Sequence, residues 1–375
     1  MRVLTFLHSF EPGGVERIAL RLMHAWLKAG VDARLFMGRS DGALRAEFAE
    51  GLPHTAPRRP PFSIAWMETL WMILTLPKTI RQTKPDVLFC AGNSYTIVAL
   101  AMKLRFGRRC PPIVAKISND LERKDIPQPF RSLYHRWVRS HARFIDHFVG
   151  MDDPMQQEIT EAVPLAPGRI TIIPDPALDD RLIDTLRAPT GQCTAPIKGI
   201  RFVAVSRLAG QKNLSLMLSA FALGAAPEDR LTIFGDGPER DALIKLRHRL
   251  GLESRVLFAG HIVAPVLELP KHDVLLLSSN YEGVPAVILE ALAAGIPVIT
   301  TRSSRSVPSL IRNGQLGAMV EPGDVDAFAY AIQHAGGMRQ DLDQSLKQAR
   351  RFTIERASRS YLRCFEASAR PSPND

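Results

Sequence analysis

The chain has 375 residues, 46% hydrophobic and 23% charged. That is enough for two globular domains and excludes a disordered chain, a coiled coil and a collagen-like repeat. It holds 48 Lys and Arg against 38 Asp and Glu, a formal net charge of +10, which favours anionic partners: nucleic acid, acidic lipid or a phosphorylated small molecule. The surplus is local, because residues 53–150 carry 16 basic and 6 acidic side chains and the rest of the chain balances. Cys90, Cys110, Cys193 and Cys364 are far apart, with no CxxC pair. They predict neither a disulfide framework nor a zinc site, and they suit a reducing cytosol. The N-terminal stretch MRVLTFLHSFEPGG has too short an apolar run for a signal peptide and no small-residue cleavage site, so the expected location is cytoplasmic.

In chain order, residues 3–8 predict a first strand, followed by a Gly-rich turn at 11–14 and an amphipathic helix over 15–28 that stops at Gly30. Apolar runs at 33–37, 87–90, 113–117, 144–149 and 170–173 predict buried parallel strands with helices between them. Residues 62–81 stand out. Phe62, Ile64, Trp66, Met67, Leu70, Trp71, Ile73, Leu74 and Leu76 precede Pro77, and Glu68 is the only charge before it. The stretch is too short, and too broken at Pro77, to span a bilayer. Two readings stay open: a helix lying in a membrane interface, or a buried domain helix that walls a cleft. Residues 175–199, rich in Pro, Asp, Thr and Gly, predict a linker around a short helix. Strands are then predicted at 201–205, 230–234, 256–258, 274–277 and 297–300. A last helix over 354–369 has apolar spacing at Ala357, Tyr361, Cys364 and Phe365, and the tail 371–375 is expected to fray. The fold class is α/β, with two successive doubly wound Rossmann-like domains.

Four clusters carry chemistry. YEGVPAVILEALAAGIP, from Tyr281, places Glu282 at a strand end and Glu290 two turns into the next helix. Carboxylates beside a helix N-terminus can hold hydroxyls, and a helical carboxylate can accept both hydrogen bonds of a ribose diol; read alone, the pair is equally a cap and a solvated face residue. VSRLAGQKN, from Val205, puts Arg207 and Lys212 on one strand-to-helix loop, which suits a diphosphate, although two loop cations can also be merely exposed. FGDGPER, from Phe234, sets Gly235 and Gly237 at a strand end, where backbone can approach a ligand; it is not a GxGxxG fingerprint. EPGGVE, from Glu11, makes a turn whose amides can meet a phosphate or a sugar, or a plain tight turn.

Together SRLAGQKN, IFGDGPER, VLFAGHI and SSNYEGVPAVILEALAAGIPVI, in this order, resemble the retaining glycosyltransferase family 4 of the GT-B fold, specifically over residues 201–323. The EPGG turn resembles that family's first loop. The resemblance implies an acceptor-side domain over 1–176, with a C-terminal helix at 354–375 packing back on it, and a nucleotide-sugar-binding domain over 190–350. It implies that Arg207 and Lys212 hold the diphosphate, Glu290 the ribose, and Glu282 the donor sugar's hydroxyls. Gly283 and Val284 would touch sugar or phosphate, His261 and Ile262 would face the base, and Gly13 and Gly14 would approach the diphosphate. There are departures. Ser206 stands where many members have Gly, and TRSSRSVP after the last strand lacks an acid that many have. The strand at 113–117 runs into Ser118, Asn119 and Asp120 rather than a His, so the family's His role does not transfer; Asn119 and Asp120 are candidates for acceptor or sugar contact.

The string Asp324-Val-Asp326 matches a DxD metal motif, but its place at a helix start predicts an N-cap. No metal and no cofactor is expected, and the nucleotide sugar is a substrate. The implied activity is a hexosyl transfer to a lipid-linked or glycan acceptor with retention at the anomeric carbon, in surface polysaccharide or lipopolysaccharide assembly. Alternatives are a sugar-nucleotide epimerase or phosphorylase of the same architecture, and a non-catalytic sugar-nucleotide binder. The basic first half makes an anionic membrane surface at the inner face of the plasma membrane a candidate partner. Nucleic acid is not expected: a nucleic-acid module would want a recognisable fold, interleaved aromatics or a basic helix, and anionic lipid explains the charge better.

Overall fold

The structure is a computed structural model that describes residues 1–11, 13–58, 67–118, 121, 127, 130–164, 168–188 and 198–369. The chain divides into two compact units, Met1–Pro176 together with the chain from Ile354 onward, and Ala177–Thr353. The first unit is built on a seven-stranded sheet of β1 (Arg2–Leu7), β2 (Asp32–Met37), β3 (His54–Thr55), β4 (Val87–Cys90), β5 (Ile113–Lys116), β6 (His147–Gly150) and β7 (Ile170–Ile172), in the order β3-β2-β1-β4-β5-β6-β7. The second unit holds β8 (Arg201–Val205), β9 (Arg230–Phe234), β10 (Val256–Gly260), β11 (Val274–Leu277), β12 (Val298–Thr301) and β13 (Gly317–Val320), in the order β10-β9-β8-β11-β12-β13. All the strand pairs in both sheets are parallel. The central strands β4, β5 and β11 are buried at every residue, which is why they read as unbroken apolar runs rather than alternating ones.

The helix Gly14–Lys28 buries Ala19, Leu20, Leu22, Met23 and Trp26, with Glu16 in its first turn and Lys28 in its last. Both charges complement the helix dipole. Gly30 follows at φ +81 and ends the helix in the left-handed region. Trp26 meets Phe89, Tyr361 and Phe365 edge-on at 5.5, 5.9 and 5.1 Å. The last two rings belong to the helix Ile354–Ser368, whose Ala357, Tyr361, Cys364 and Phe365 are all buried, so this helix completes the first unit's core. Lys116 and Asp175 form a buried ion pair in the same unit. In the second unit, the helix Asp180–Arg187 within the Pro- and Asp-rich stretch sets Ile183 and Leu186 into the core beside Leu275, Ile288 and Leu292.

Several elements differ from expectation. The two edge strands β3 and β13 were not predicted. The strand expected from residue 144 begins at His147, because His141–Arg143 is a 3-10 turn and Phe144 and Ile145 close back on it. The helix Glu68–Thr83 is not broken at Pro77. A proline inside a helix forfeits one hydrogen bond, and burial of Met72, Leu76, Pro77 and Ile80 offsets it. That helix buries one face and exposes Leu70 and Leu74 on the other, so the two readings of this stretch are not exclusive; residues 62–66 lie outside the described residues. No helix among the described residues is long and apolar enough to cross a membrane. Cys90, Cys110 and Cys364 are buried, and none of the three is in a disulfide.

Candidate active site

In each sheet the strand order reverses once, between β1 and β4 and between β8 and β11. Loops leaving the strand C-termini diverge there and open a crevice. The second unit's crevice is built from three loops. The loop after β8 lies on the loop after β9: Ser206 N–H donates to Phe234 O at 3.0 Å and Leu208 N–H to Asp236 O at 3.0 Å. Gly235 sits at φ +134, and a Cβ there would fall 1.9 Å from Ser206 O. At Gly237 the same atom would fall 2.4 Å from Leu208 O. The two glycines thus let one loop's backbone lie against the other's. Asn213, at φ +46, caps the helix Leu214–Gly224 by accepting from Leu216 N–H.

The loop after β11 crosses to this one. Asn280 N–H donates to Gln211 O at 2.8 Å and Gln211 Nε2 to Tyr281 O at 2.9 Å. At the centre, Lys212 Nζ donates to Glu282 Oε1 at 2.5 Å, with the side chains 22% and 9% exposed. Ser279 Oγ donates to the same carboxylate oxygen at 2.6 Å. The loop after β12 supports the turn from behind: Glu282 N–H donates to Ser303 O at 2.8 Å, and Ser304 Oγ donates to Gly283 O at 2.7 Å. Sequence reasoning placed Lys212 and Glu282 at strand ends but did not pair them.

Arg207 is exposed, and its side chain has no hydrogen-bond or ion-pair partner among the described residues. Glu290 is half-buried on the helix Ala286–Ala294, which begins just past Glu282. His261 is exposed after β10, while Ile262 and Val284 pack on the core. Asp324 caps the helix Val325–Gln333 by accepting from Ala327 N–H at 2.9 Å. Among the described residues, no three His, Cys, Asp or Glu side chains converge as metal ligands.

At the first unit's crevice, Tyr95 donates to Glu16 Oε1 at 2.5 Å, tying the loop after β4 to the helix after β1. Burial, with Glu16 adding to it, raises the Tyr95 hydroxyl well above the usual phenol range, so it remains a donor. Gly13 is extended before this helix, and a Cβ there would meet Glu16 Oε2 at 2.0 Å; Gly14 is exposed, with nothing near such an atom. His8 stacks on Tyr95 at 4.7 Å, and burial holds its imidazole below the usual range against the pull of Glu68 and Glu16. Asn119 and Asp120 lie outside the described residues; Ser118, just before them, donates its N–H to Asn93 Oδ1 at 3.0 Å. Sequence reasoning did not pick out Tyr95, His8, Ser279, Ser303 or Ser304. The available signal was position, since each lies just past a strand's C-terminal end.

Residues 12–177 match the family model for Glycosyltransferase Family 4, and residues 194–351 match that for glycosyl transferases group 1. Over 345 residues the chain is 28% identical to the lipopolysaccharide core biosynthesis glycosyltransferase LpsE of Rhizobium meliloti (strain 1021), covering 88% of this chain and 87% of that one. Its fold is similar to that of HepE from Anabaena, solved in complex with UDP, with a TM-score of 0.79 at 19% identity over 98% of this chain and 100% of that one. It is likewise similar to the apo lipopolysaccharide outer core galactosyltransferase WaaB, with a TM-score of 0.76 at 18% identity over 98% and 99% of the two chains. Two doubly wound units of this kind make the GT-B fold, and the family matches make the chain a glycosyltransferase, a transferase of EC 2.4 type. The chain belongs to glycosyltransferase family 4.

Proposed function

We propose that this enzyme transfers a hexose from a UDP- or GDP-sugar to a hydroxyl of a lipid-linked or polysaccharide acceptor, with retention at the anomeric carbon, in bacterial lipopolysaccharide or other surface polysaccharide assembly. The observation that carries the reading is the Lys212–Glu282 pair at the β8–β11 crevice, with an unpaired Arg207 on the same loop as the lysine. The relative LpsE, named for lipopolysaccharide core biosynthesis, supports the pathway class, and HepE, solved with UDP, supports a nucleotide donor.

In this mechanism the bond from the anomeric carbon to the β-phosphate oxygen breaks through an oxocarbenium-like state. The departing diphosphate gathers negative charge. Lys212 carries three donors, so it can stay on Glu282 and still reach a phosphate oxygen; Arg207 supplies a second cation. These two charges stand where other transferases use a metal ion, and the proposal involves no metal or cofactor. Glu282, oriented by Lys212 and Ser279, accepts from the donor sugar's hydroxyls, and Glu290 accepts from the ribose. The acceptor hydroxyl approaches on the leaving group's face, and its proton passes to the departing phosphate oxygen. The setting we propose is the cytoplasmic face of the plasma membrane, where a lipid-linked acceptor is available.

Thermal unfolding with UDP, GDP, ADP and their common sugar conjugates tests this. A ligand at about 100 times its Kd adds about 2.7 kcal/mol of stability. A shift with one base, lost in Glu290→Ala, is expected. No shift with any of them would overturn the donor assignment.

A further inference from the structure

We propose that the first unit carries a docking site for anionic phospholipid, formed where the helices Glu68–Thr83 and Thr96–Phe106 end side by side. This deepens the membrane setting proposed above by giving it a place and residues. A cavity of about 600 Å³ opens between the two helix ends, and Arg81, Lys84, Arg105 and Arg109 line it with no acidic residue among them. All four cations are exposed, and none has an ion-pair partner among the described residues. Arg81 lies over the Phe106 ring at 5.7 Å, which fixes one wall. Four cations left unneutralised around one cavity select a phosphate-bearing anion.

The same two helices carry exposed aliphatics. Leu70 and Leu74 are 48% and 65% exposed, and Ile97 and Leu104 are 46% and 77% exposed. Leu70, Leu74, Lys78 and Arg81 recur at helical spacing on one exposed face. Ile97 and Leu104, two turns apart, share a face of the neighbouring helix, and Arg105 follows directly. Along the first helix, Leu74 lies about 10 Å from Arg81, and an apolar face enters the headgroup–acyl boundary by about 5–10 Å. A soluble phosphate would answer the cations and leave the leucines in water. A bilayer surface answers both: phosphates meet the cations while the aliphatics enter the boundary.

The test is sedimentation of the full chain with phosphatidylcholine vesicles and with vesicles that also contain phosphatidylglycerol. Binding is expected only to the anionic vesicles, and raised salt should weaken it. Arg105→Gln with Arg109→Gln should weaken binding about 30-fold, since a surface cation is worth about 1 kcal/mol. Leu74→Ser with Leu104→Ser should weaken it about tenfold. All four positions are exposed, and unchanged thermal unfolding would show that each variant is folded. Two results overturn the proposal. One is the absence of wild-type binding to anionic vesicles at low salt. The other is loss of binding in the arginine variant alone, with inorganic phosphate competing for it, which would mark a free-anion site without insertion. Nucleotide-induced thermal shifts are read separately, so the donor reading and this one can fail independently.

Discussion

Replacing Lys212 with Met removes the cation at the centre of the second crevice and separates catalysis from support. The amine donates to Glu282 at 2.5 Å, and the carboxylate is only 9% exposed, so the change strands a largely buried anion. Breaking a fully buried pair from one side costs about 3–5 kcal/mol. Here Ser279 still donates to the same oxygen at 2.6 Å and the lysine is 22% exposed, which brings the cost to about 2 kcal/mol. For a unit of this size that lowers Tm by about 4–8 °C. The turnover loss is larger, because a charge-stabilising donor in a closed site is worth about 3–4 kcal/mol, or about 100- to 1000-fold in kcat. The assay is nucleotide release from the donor that the thermal panel selects, with unfolding followed in parallel. Adding Glu282→Gln to Lys212→Met relieves the stranded carboxylate and should recover Tm without recovering kcat. If Lys212→Met lost the expected stability but kept kcat within about threefold, the lysine would be a strut between loops and its catalytic role would be wrong.

Two further outcomes follow from the geometry. Gly235→Ala places a side chain at φ +134 with its Cβ 1.9 Å from Ser206 O; it should cost at least about 2 kcal/mol and weaken donor binding through the Arg207 loop, and an unchanged Tm would show that these loops do not constrain each other. His141 is buried against Trp137 and Phe144 at 5.0 and 5.2 Å, with no hydrogen-bond partner for either ring nitrogen among the described residues, and burial pushes its pKa down to about 4. Between the ordinary histidine pKa of about 6.5 and about 4, the unfolded chain binds a proton that the folded chain refuses, so stability falls as pH falls through that window. The loss by about pH 5 is about 2 kcal/mol, and His141→Phe should remove it; denaturant titrations at neutral and acidic pH with the same slope in both proteins would rule His141 out as the source.

The fold was legible wherever burial is two-sided. The strands at 201–205, 230–234 and 274–277 match prediction to the residue because apolar runs there end abruptly in polar loops. The misses sit where that signal weakens: β13 is half-buried along its length at a sheet edge, and β3 has only two residues. The helix expected over 62–81 is present from Glu68, but it runs through Pro77 without the expected break, because local propensity opposes that continuity and only tertiary burial, of Leu76 and Ile80 among others, decides it. The candidate site was legible as a set of loops but not as contacts. Lys212 and Glu282 are 70 residues apart, as Tyr95 and Glu16 are 79 apart. Nothing local in the sequence joins such residues; the strand order does, by setting β11 beside β8 and β4 beside β1. The supporting serines, Ser279, Ser303 and Ser304, act through single hydrogen bonds that no residue pattern announces.

Both crevices use the same device with opposite electrostatics. Each has a bond from the first strand's connection to the fourth strand's loop, which stops the diverging loops from splaying where no strand pairing holds them. In the second unit the bond brings a cation into the crevice, and Arg207 adds another on the same loop. In the first unit it brings a carboxylate, Glu16, folded against Gly13 and bonded by a phenol that burial keeps protonated. The loop after β8 thus carries two cations, Arg207 and Lys212, which suits the diphosphate proposed for the second crevice. The hydrogen bond between Tyr95 and Glu16 sets which charge the first unit's turn presents.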